Sequence, residues 1–449
     1  MTWQRKVFGP MRERTLENAG VHLLATRYDL ARDSRLAREI VRTVNAELDA
    51  EEGRRGIRRV RSGELYRRTR RGPLLLPLRT EEALDRVLAG ESWPAVRRDL
   101  LAECERRYRA LFPEASEAAV DRLLRTLWPG RAPPAPAGQP SPLHGPRRQR
   151  PWGASGGGEE ARPLLELDRK RARRRLDRAP PRPGHRTETT QKLQHYLHTQ
   201  AGIPPAVQEP LLLELMALRA RFCPRIGALK TGQMPLAARH VDSGRQLWKA
   251  TRHQPLAPVV VGLLADGEGH TLRYRPPTSY RGYLNLHGRR IARVLTEAYS
   301  QDGLLSFAEL QWIFLLSTGT VSRAVDHYQR RHQVLLPCPG TVLDMGRMLT
   351  HKDVIVRLSL QGLTVLEIAR KTYHDPRSVD AYLKDFDGVL ILHLYGLPPP
   401  LMARVLGKGE SLVEEYLYLI EENLKEPTTM RTYLQKKGVK LPAIVSDGG

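Results

Sequence analysis

The sequence predicts a mainly α-helical protein with tandem helix-turn-helix modules in its C-terminal third, a small α+β unit in the middle and a helical N-terminal region. Three observations predict this fold class. Apolar residues recur at helical spacing over most of the chain, one short valine-rich run is typical of a strand, and one pattern of capping and apolar residues occurs three times near the C-terminus. The resulting segments are a helical basic region (1–128), a disordered linker (129–187), a small α+β domain (188–300), a first, a second and a third module (301–349, 350–388 and 389–425) and a C-terminal tail (426–449).

The helical N-terminal region ends in three well-marked helices. Apolar spacing and caps predict them from Glu81 to Leu88, from Trp93 to Leu111 and from Ser116 to Leu127. An arginine-dense stretch, Arg54 to Arg71, precedes them and has few apolar residues between its cations. We predict that the region from about Arg12 to Trp128 is rich in helix throughout.

The linker contains too much proline and glycine, and too few large apolar residues, to bury a core. A strongly basic patch lies within it. Two interpretations of this patch stay open: a solvated surface, or an arm that contacts nucleic-acid phosphates without reading sequence. Its cations are Arg169, Lys170, Arg171, Arg173, Arg174 and Arg175.

The middle of the chain changes from helical to extended character. Two short runs, Gln246 to Ala250 and Pro258 to Leu264, are typical of strands, and Asp266-Gly267 follows as a turn. We expect Val259 to Val261 to form a buried strand. The helices predicted around these strands are Thr190 to His198, Glu209 to Arg221 and Arg289 to Tyr299.

The pattern that occurs three times places a helix cap and a buried valine at matching positions. Both positions are 58 residues apart between the first and second copies and 34 residues apart between the second and third. A capped helix, a short turn and a second helix of fixed length form the outline of a helix-turn-helix, which reads DNA through its second helix. The cap positions are Ser306, Thr364 and Pro398, and the matching valines are Val321, Val379 and Val413.

The first module begins with Ser306 and Glu309, which are spaced as a reciprocal capping box. Ser317 is the predicted cap of its second helix. Polar residues then lie on the outer N-terminal turns, where they would reach base edges in a DNA major groove. The alternative is a helical hairpin that only packs, and residues 332–339 carry a weak extended signal for a wing. The DNA-contacting candidates are Thr318, Thr320, Ser322 and Arg323.

The second module repeats the capping box with Thr364 and Glu367. Asp375 followed by Pro376 marks the start of its second helix. The apolar residues of this helix face inward and leave a polar outer face, and Lys371 before the turn is a candidate for phosphate contact. The DNA-contacting candidates are Arg377, Ser378, Ala381 and Lys384.

The third module differs from the others in charge. Its expected second helix exposes three carboxylates, which DNA phosphates repel. We therefore expect packing or self-association from this module, and a homodimer is the corresponding hypothesis. The carboxylates are Glu410, Glu414 and Glu415, and the prolines that begin the module are Pro398, Pro399 and Pro400.

The bulk composition favours an anionic partner. The formal net charge is +24 and the sequence pI is about 10.3, so nucleic acids and acidic membrane surfaces both qualify. Arginine usage in a GC-biased genome is the alternative explanation. The three cysteines, Cys104, Cys223 and Cys338, are far apart, which favours a reducing compartment. Because neither a signal peptide nor a bilayer-spanning apolar run is found, we expect a cytoplasmic, nucleoid-associated protein.

No residue pattern predicts catalysis, a cofactor or a metal site. The acidic candidates lack a spacing that would converge on a metal ion, and His351-Lys352 with His374 is not a recognisable acid–base pattern. Gly156 to Gly158 lacks the Lys-Ser/Thr that ends a phosphate-binding loop. We therefore expect a protein that is not an enzyme, with nuclease or transposase activity as the alternative. The acidic candidates are Asp242, Asp266, Asp344 and Glu367.

Short motifs spread over most of the chain carry a resemblance. They are Arg14-Thr-Leu-Glu-Asn18, Gln233-Met234, Pro258 to Leu264, Gly319-Thr-Val-Ser-Arg323, Pro339-Gly340-Thr341, Leu349-Thr-His-Lys352, Glu367-Ile-Ala-Arg370, Val379 with Tyr382-Leu-Lys-Asp-Phe386, and Leu412-Val413 with Glu415-Tyr-Leu417. As a set they resemble an uncharacterised prokaryotic family, catalogued as domain of unknown function 1670, that contains helix-turn-helix similarity. The resemblance implies no assigned activity. The chain departs from the family pattern at the three prolines of the third module, which argues further against a DNA role there.

Together these patterns predict a DNA-binding protein, either a transcriptional regulator or a DNA-associated accessory factor, that reads duplex DNA through tandem helix-turn-helix modules. Two alternatives stay open. One is a non-specific structural binder of DNA or RNA that uses the arginine-rich segments, and the other is a recombinase or transposase component of a mobile element. Equal affinity for all sequences that collapses with salt would favour the structural binder.

Overall fold

The computed structural model describes residues 3–127, 187–243, 254–265, 268, 277–332, 334–343, 349–425 and 427–439. The chain divides into two compact units, one formed by Met1–Leu143 with Glu159–Tyr328 and the other by His144–Gly158 with Gln329–Gly449. The protein is mainly helical with a small antiparallel strand region, which confirms the predicted fold class at this level. Of the predicted linker, only Thr187 lies in the described part. Among the described helices, none has the length and apolar character needed to cross a membrane.

Eleven described helices belong to the first unit, and the last of them crosses the boundary at Tyr328. The predicted bounds of α4 and α5 match the structure, and α6 begins one residue later than predicted. The three helices predicted around the central strands are present and longer than expected. The bounds are α1 Trp3–Arg12, α2 Leu16–Arg27, α3 Ser34–Arg54, α4 Glu81–Leu88, α5 Trp93–Leu111, α6 Glu117–Leu127, α7 Glu188–Thr199, α8 Pro205–Phe222, α9 Tyr280–Ser300, α10 Phe307–Phe314 and α11 Thr318–His332.

A β-hairpin that the sequence analysis missed lies inside the predicted helical N-terminal region. Its strands, β1 (Glu64–Thr69) and β2 (Gly72–Pro77), are antiparallel and joined by a two-residue turn. Leu65 and Leu76 lie opposite each other and are buried, whereas Arg68 is exposed. The adjacent Leu65 and Tyr66 are both buried, so β1 lacks the apolar–polar alternation that would have predicted a strand.

A three-stranded antiparallel sheet of order β4-β3-β5 forms the α+β part of the first unit. Val259 and Val261 on β4 are fully buried, which confirms the predicted buried strand. A Cβ on Gly303 would lie 2.4 Å from Val259 Cγ1, so only glycine fits β5 at this close approach. The strand predicted from Gln246 to Ala250 and the turn at Asp266-Gly267 lie outside the described residues. The strands are β3 Gln233–His240, β4 Leu256–Gly262 and β5 Gly303–Leu304.

Helices α2, α3, α7 and α8 share one hydrophobic cluster in the first unit. Ile40 of α3, Leu197 of α7 and Leu211 of α8 are completely buried in it. Arg219 of α8 also forms an ion pair with Glu52 of α3, with 2.8 Å between Nη2 and Oε2. Residues that the sequence analysis assigned to an N-terminal region and to a separate α+β domain therefore pack into one core.

The second unit is arranged around α15, which contributes to two hydrophobic clusters. Val379 and Leu383 in its first half pack with Ile368 of α14, and Phe386 farther along belongs to the cluster that contains the α16 and α17 residues. Residues 334–337 form no strand, so this described segment contains no wing. The bounds are α12 Pro339–Val342, α13 Leu349–Leu360, α14 Val365–Thr372, α15 Pro376–Leu394, α16 Pro399–Leu406, α17 Glu410–Asn423 and α18 Pro427–Lys436.

Candidate nucleic-acid interface

The sequence pattern that occurs three times corresponds to three helix pairs with the same backbone dimensions. The pairs are α10 with α11, α14 with α15, and α16 with α17. In each pair the first helix has 8 residues, and a turn of three residues separates it from the second helix. The first residue of every turn is left-handed, with φ of 48° at Leu315, 59° at Tyr373 and 62° at Gly407. The three segments therefore have the same helix–turn–helix outline, although two turns use a residue that normally avoids this conformation.

The caps of these pairs agree with the sequence. In the first pair, the Ser306 amide donates to Glu309 Oε2 at 2.8 Å while the Glu309 amide donates to Ser306 Oγ at 3.4 Å. The second pair repeats both bonds between Thr364 and Glu367, at 2.8 and 3.3 Å. Pro398 at the start of the third pair makes no side-chain cap. Both predicted capping boxes are confirmed.

The first pair is anchored in the core of its unit by a buried ion pair. Glu309 is 2% exposed and lies 2.5 Å (Oε1) from Nη1 of Arg14, which is 7% exposed. Burial lowers the pKa of the neighbouring Arg79 guanidinium, and the Glu309 charge opposes this shift. Trp312 on the same helix packs edge-on against Trp93, with ring centroids 4.9 Å apart. These contacts hold α10 from several sides. The ion pair also gives a structural role to Arg14, the first residue of the N-terminal motif.

The polar face predicted on α11 is only half-open. Thr318, Thr320, Ser322 and Arg323 are all half-buried. The Thr318 hydroxyl bonds to Gln311, and the Thr320 amide and hydroxyl both bond to Ser317 Oγ, at 3.2 and 2.8 Å. Helix α9 packs along α11, since a Cβ on Gly288 would lie 2.9 Å from the Ala324 carbonyl oxygen. The threonine hydroxyls of this face therefore form hydrogen bonds within the helix pair itself. DNA contact by α11 stays a prediction.

The polar face predicted on α15 is open. Arg377, Ala381 and Lys384 are exposed and Ser378 is half-buried. We call these four residues the α15 face. Asp375 Oδ1 accepts from the Arg377 amide at 2.8 Å and caps the helix, as predicted. Lys384 Nζ lies 2.8 Å from Asp380 Oδ2 in an exposed ion pair.

Two further cations lie beside the α15 face on α14. Lys371 is exposed, as phosphate contact would require, and so is Arg370, which the sequence analysis did not select. Arg370 follows the capping glutamate by three residues, so its position on the outer side of α14 was available from helical spacing. The second pair therefore presents cations on both sides of its turn.

The third pair has the same outline and a different surface. Glu410 and Glu414 are exposed at the start of α17, and Glu415 forms an ion pair with Lys352 of α13. Leu401 and Val405 on α16 are exposed by 45% and 59% and are four residues apart, so they share one side of the helix. An acidic and apolar surface of this kind does not suit contact with phosphates.

The remaining candidates are scattered or beyond the described residues. His374 is buried and its Nδ1 lies 2.7 Å from the Thr372 carbonyl oxygen, while Lys352 is engaged with Glu415. Asp242 is exposed beside His240. In the part of the chain that the structure describes, no three His, Cys, Asp or Glu side chains gather into a group suited to a metal ion. The candidates outside the described residues are Asp266, Asp344 and the basic patch Arg169, Lys170, Arg171, Arg173, Arg174 and Arg175, together with the side chain of His351.

Comparison with known proteins yields a family and nothing more specific. Neither the curated proteins nor the solved structures contain a match to this chain. A family model described as "Protein of unknown function (DUF1670)" matches residues 206–419. That range begins in α8 and ends in α17. It contains the three-stranded sheet, the first two helix pairs and most of the third, whereas the motif at Arg14 lies outside it. Residues 206–419 of the chain therefore contain a DUF1670 domain, for which no function is known.

Proposed function

We propose that this protein binds duplex DNA as a transcriptional regulator or DNA-associated accessory factor, and that α15 is its reading helix. The observation that carries the proposal is the open α15 face on a helix whose opposite side is buried. Val379 and Leu383 pack into the core, so Arg377, Ala381 and Lys384 are held outward on a rigid element. Arg377 and Ala381 lie in the first two turns of the helix, which enter the major groove in a helix-turn-helix, and Lys384 follows in the third turn.

The chemistry of the α15 face suits a groove of DNA. Arg377 follows the capped N-terminus of the helix, where the helix dipole already favours an anionic neighbour. Its guanidinium has the geometry to donate two hydrogen bonds to a guanine edge, and the Ala381 methyl suits the methyl group of thymine. Arg370 and Lys371 across the turn would contact phosphates and set the register.

Lys384 is compatible with this role despite its ion pair. Both side chains of the Lys384–Asp380 pair are exposed, by 74% and 47%. Exposed pairs of this kind contribute little free energy, so the ammonium group is readily available to a phosphate. Asp380 itself opposes DNA binding, because its carboxylate lies next to the proposed contact surface.

The other two pairs have different parts in the proposal. The half-open α11 face would contribute few base contacts, because its threonine hydroxyls are bonded within the turn. The acidic third pair would pack or self-associate rather than bind DNA, and a homodimer remains the hypothesis for the quaternary state. No cofactor or metal ion has a part in the proposed binding.

The experiment is in-vitro selection of duplex DNA by the full chain, followed by affinity measurements on the selected site and a scrambled site. We expect Arg377→Ala to lower the ratio of these affinities by about tenfold or more, which corresponds to the loss of one bidentate base contact. Arg404→Ala is the matched control, because Arg404 is exposed near the end of α16 and its loss changes the charge equally. Failure to select any site, or equal losses of selectivity in the two variants, would contradict the proposal.

A further inference from the structure

Two basic segments that are far apart in the sequence run side by side in the first unit. Residues 54–71 contain nine arginines and one acidic residue, and residues 221–232 contain two arginines, one lysine and no acidic residue. The first segment joins α3 to the β-hairpin and includes β1, and the second joins α8 to β3. The intervening chain is more than one hundred residues long, so only the tertiary structure reveals this proximity.

Backbone hydrogen bonds align the two segments over much of their length. At one end, the Ile226 amide donates to the Arg58 carbonyl oxygen at 3.2 Å. At the other end, the Gly232 amide donates to the Tyr66 carbonyl oxygen at 2.8 Å, and the Arg68 amide donates to Thr231 Oγ1 at 3.2 Å. The exposed cations of both segments therefore lie on adjacent stretches of backbone.

Two carboxylates in or next to the first segment, Glu52 and Glu64, already have other hydrogen-bond partners. Glu52 is buried and accepts hydrogen bonds from Arg59 and Arg219. Burial opposes its ionisation, yet these two arginines together lower the pKa of Glu52 to about 2. Glu64 is largely buried, accepts from the Arg61 amide at 2.9 Å and lies 3.5 Å from Arg107.

Seven exposed cations of the two segments have no ion-pair or side-chain hydrogen-bond partner among the described residues, namely Arg54, Arg58, Arg61, Arg68, Arg70, Arg221 and Lys230. Four of them, Arg58, Arg61, Arg68 and Lys230, lie along the stretch where the segments are hydrogen-bonded to each other, and we call these four the hairpin patch. Other arginines of the same segments do have carboxylate partners, as Arg55 has Glu51 and Arg71 has Glu114. A surface that concentrates free cations in this way is self-repelling unless an anionic partner neutralises it.

The surroundings of the hairpin patch favour the backbone of a duplex over other polyanions. Tyr66 and Phe112 are buried, and the Phe112 ring is already covered by Arg70 and Arg71 at 5.9 and 5.2 Å. The patch therefore offers no exposed aromatic ring on which bases of a single strand would stack. The large exposed apolar side chains of the described residues all lie between 366 and 418, so none at the patch is available to insert into a membrane.

We infer that the hairpin patch binds the phosphate backbone of duplex DNA without reading its sequence. Its guanidinium groups match phosphate oxygens in charge and geometry, and their binding would release counterions condensed on the duplex. The inference rests on the proposed function, since it takes the same DNA as its ligand, but it concerns a different unit of the chain. Sequence selectivity belongs to α15 and salt-dependent affinity belongs to the hairpin patch.

The test compares two triple variants of the full chain on a random-sequence duplex of 30 base pairs. The patch variant is Arg58→Gln/Arg61→Gln/Arg68→Gln. The matched control is Arg27→Gln/Arg42→Gln/Arg125→Gln, which removes three exposed arginines that each have a carboxylate partner. The readout is fluorescence anisotropy between 50 and 300 mM NaCl, with circular dichroism to verify folding.

We expect the slope of log K against log salt to become shallower by about 2 to 3 in the patch variant, because each lost phosphate contact removes about 0.9 from its magnitude. The control should change the slope by less than about 1. The charge-retaining variant Arg58→Lys/Arg61→Lys/Arg68→Lys should keep most of the slope, since phosphate contact requires charge more than a planar guanidinium. A patch variant whose slope changes no more than that of the control would overturn the inference.

Two further arms separate the duplex from other ligands and the patch from α15. If the patch variant loses binding to single-stranded RNA or to phosphatidylserine vesicles while its affinity for duplex DNA is unchanged, the inference is wrong. Selectivity for a selected site, measured in the same variants, should be unchanged by the patch substitutions and reduced by Arg377→Ala. A shallower slope without any selectivity in the wild type would support the hairpin patch and refute the reading role of α15.

Discussion

Glu309 and Glu367 occupy the same position in the same capping box, one in the first helix pair and the other in the second. Both accept a hydrogen bond from the amide of the capping residue at 2.8 Å. Glu309 is buried and neutralises Arg14, whereas Glu367 is exposed, and hydrogen bonds from Thr364 lower the pKa of its carboxyl group. The same capping box is thus buried at the start of α10, where it pairs with a core arginine, and exposed at the start of α14.

The same difference extends to the second helices of the two pairs. The α11 face is half-buried and its threonine hydroxyls are bonded within the turn, while the α15 face is open. A shared backbone outline therefore does not imply a shared role. The first pair packs into the core of its unit and contributes stability. The second pair has an exposed outer face, which is available to a ligand.

Substitution of the two glutamates gives the largest expected effect. Glutamine retains the length and the acceptor of the capping box, so Glu309→Gln removes only the negative charge. We expect it to destabilise the first unit by about 3 kcal/mol or more, because Arg14 then remains buried without a counter-charge. Thermal unfolding followed by tryptophan fluorescence reports on this unit through Trp93 and Trp312.

Glu367→Gln is the matched control for that comparison. It should leave the melting curve measured by circular dichroism almost unchanged, since the exposed carboxylate has no buried partner. Adding Arg14→Met to Glu309→Gln should recover part of the lost stability by removing the unpaired buried charge. Equal destabilisation by the two glutamine variants would show that the environments of the capping boxes do not differ as described.

His287 provides a pH-dependent test of the core around the first pair. It is buried on α9 against Tyr283 and Phe314, and neither ring nitrogen has a hydrogen-bond partner among the described residues. Burial, with a smaller contribution from the charge of Arg290, lowers its pKa to about 3. Between about pH 6.5 and 3 the unfolded chain therefore binds one more proton than the folded chain, and stability falls as the pH drops.

We expect His287 to lower the free energy of unfolding of the first unit by about 2 kcal/mol when the pH falls from 7.5 to 5. His287→Phe should flatten that part of the stability profile, as measured by urea unfolding at both pH values. Glu52 does not interfere in this window, because its contribution is present above about pH 4.5 and is lost as the pH falls from there to about 2. A variant whose profile parallels that of the wild type would show that His287 is protonated in the folded state.

The smallest expected effect concerns the open face of the second pair. Asp380→Asn removes the carboxylate beside the α15 face and releases Lys384 from its ion pair. We expect affinity for duplex DNA at low salt to rise about threefold. Glu410→Gln at the start of α17 changes the charge equally on the third pair and should raise the affinity less. A similar gain in both variants would indicate a response to net charge rather than to the α15 face.

Much of the local structure was predictable because it depends on residues close together in the chain. The capping boxes, the Asp375-Pro376 helix start and the bounds of α4 and α5 follow from spacings of a few residues. The hairpin was missed because β1 lacks the apolar–polar alternation of a half-buried strand. Exposure of the candidate DNA-contacting residues was beyond sequence patterns, because it depends on which distant helix packs beside each pair.

The sequence by itself determined the helices, their caps and the outline shared by three helix pairs, since short-range hydrogen bonds and apolar spacing specify them. Only the tertiary structure decided that Glu309 forms an ion pair with Arg14 and that residues 54–71 lie beside residues 221–232. These contacts join parts of the chain separated by more than one hundred residues. Their free energy comes from burial and charge pairing in the assembled core, which no local pattern encodes.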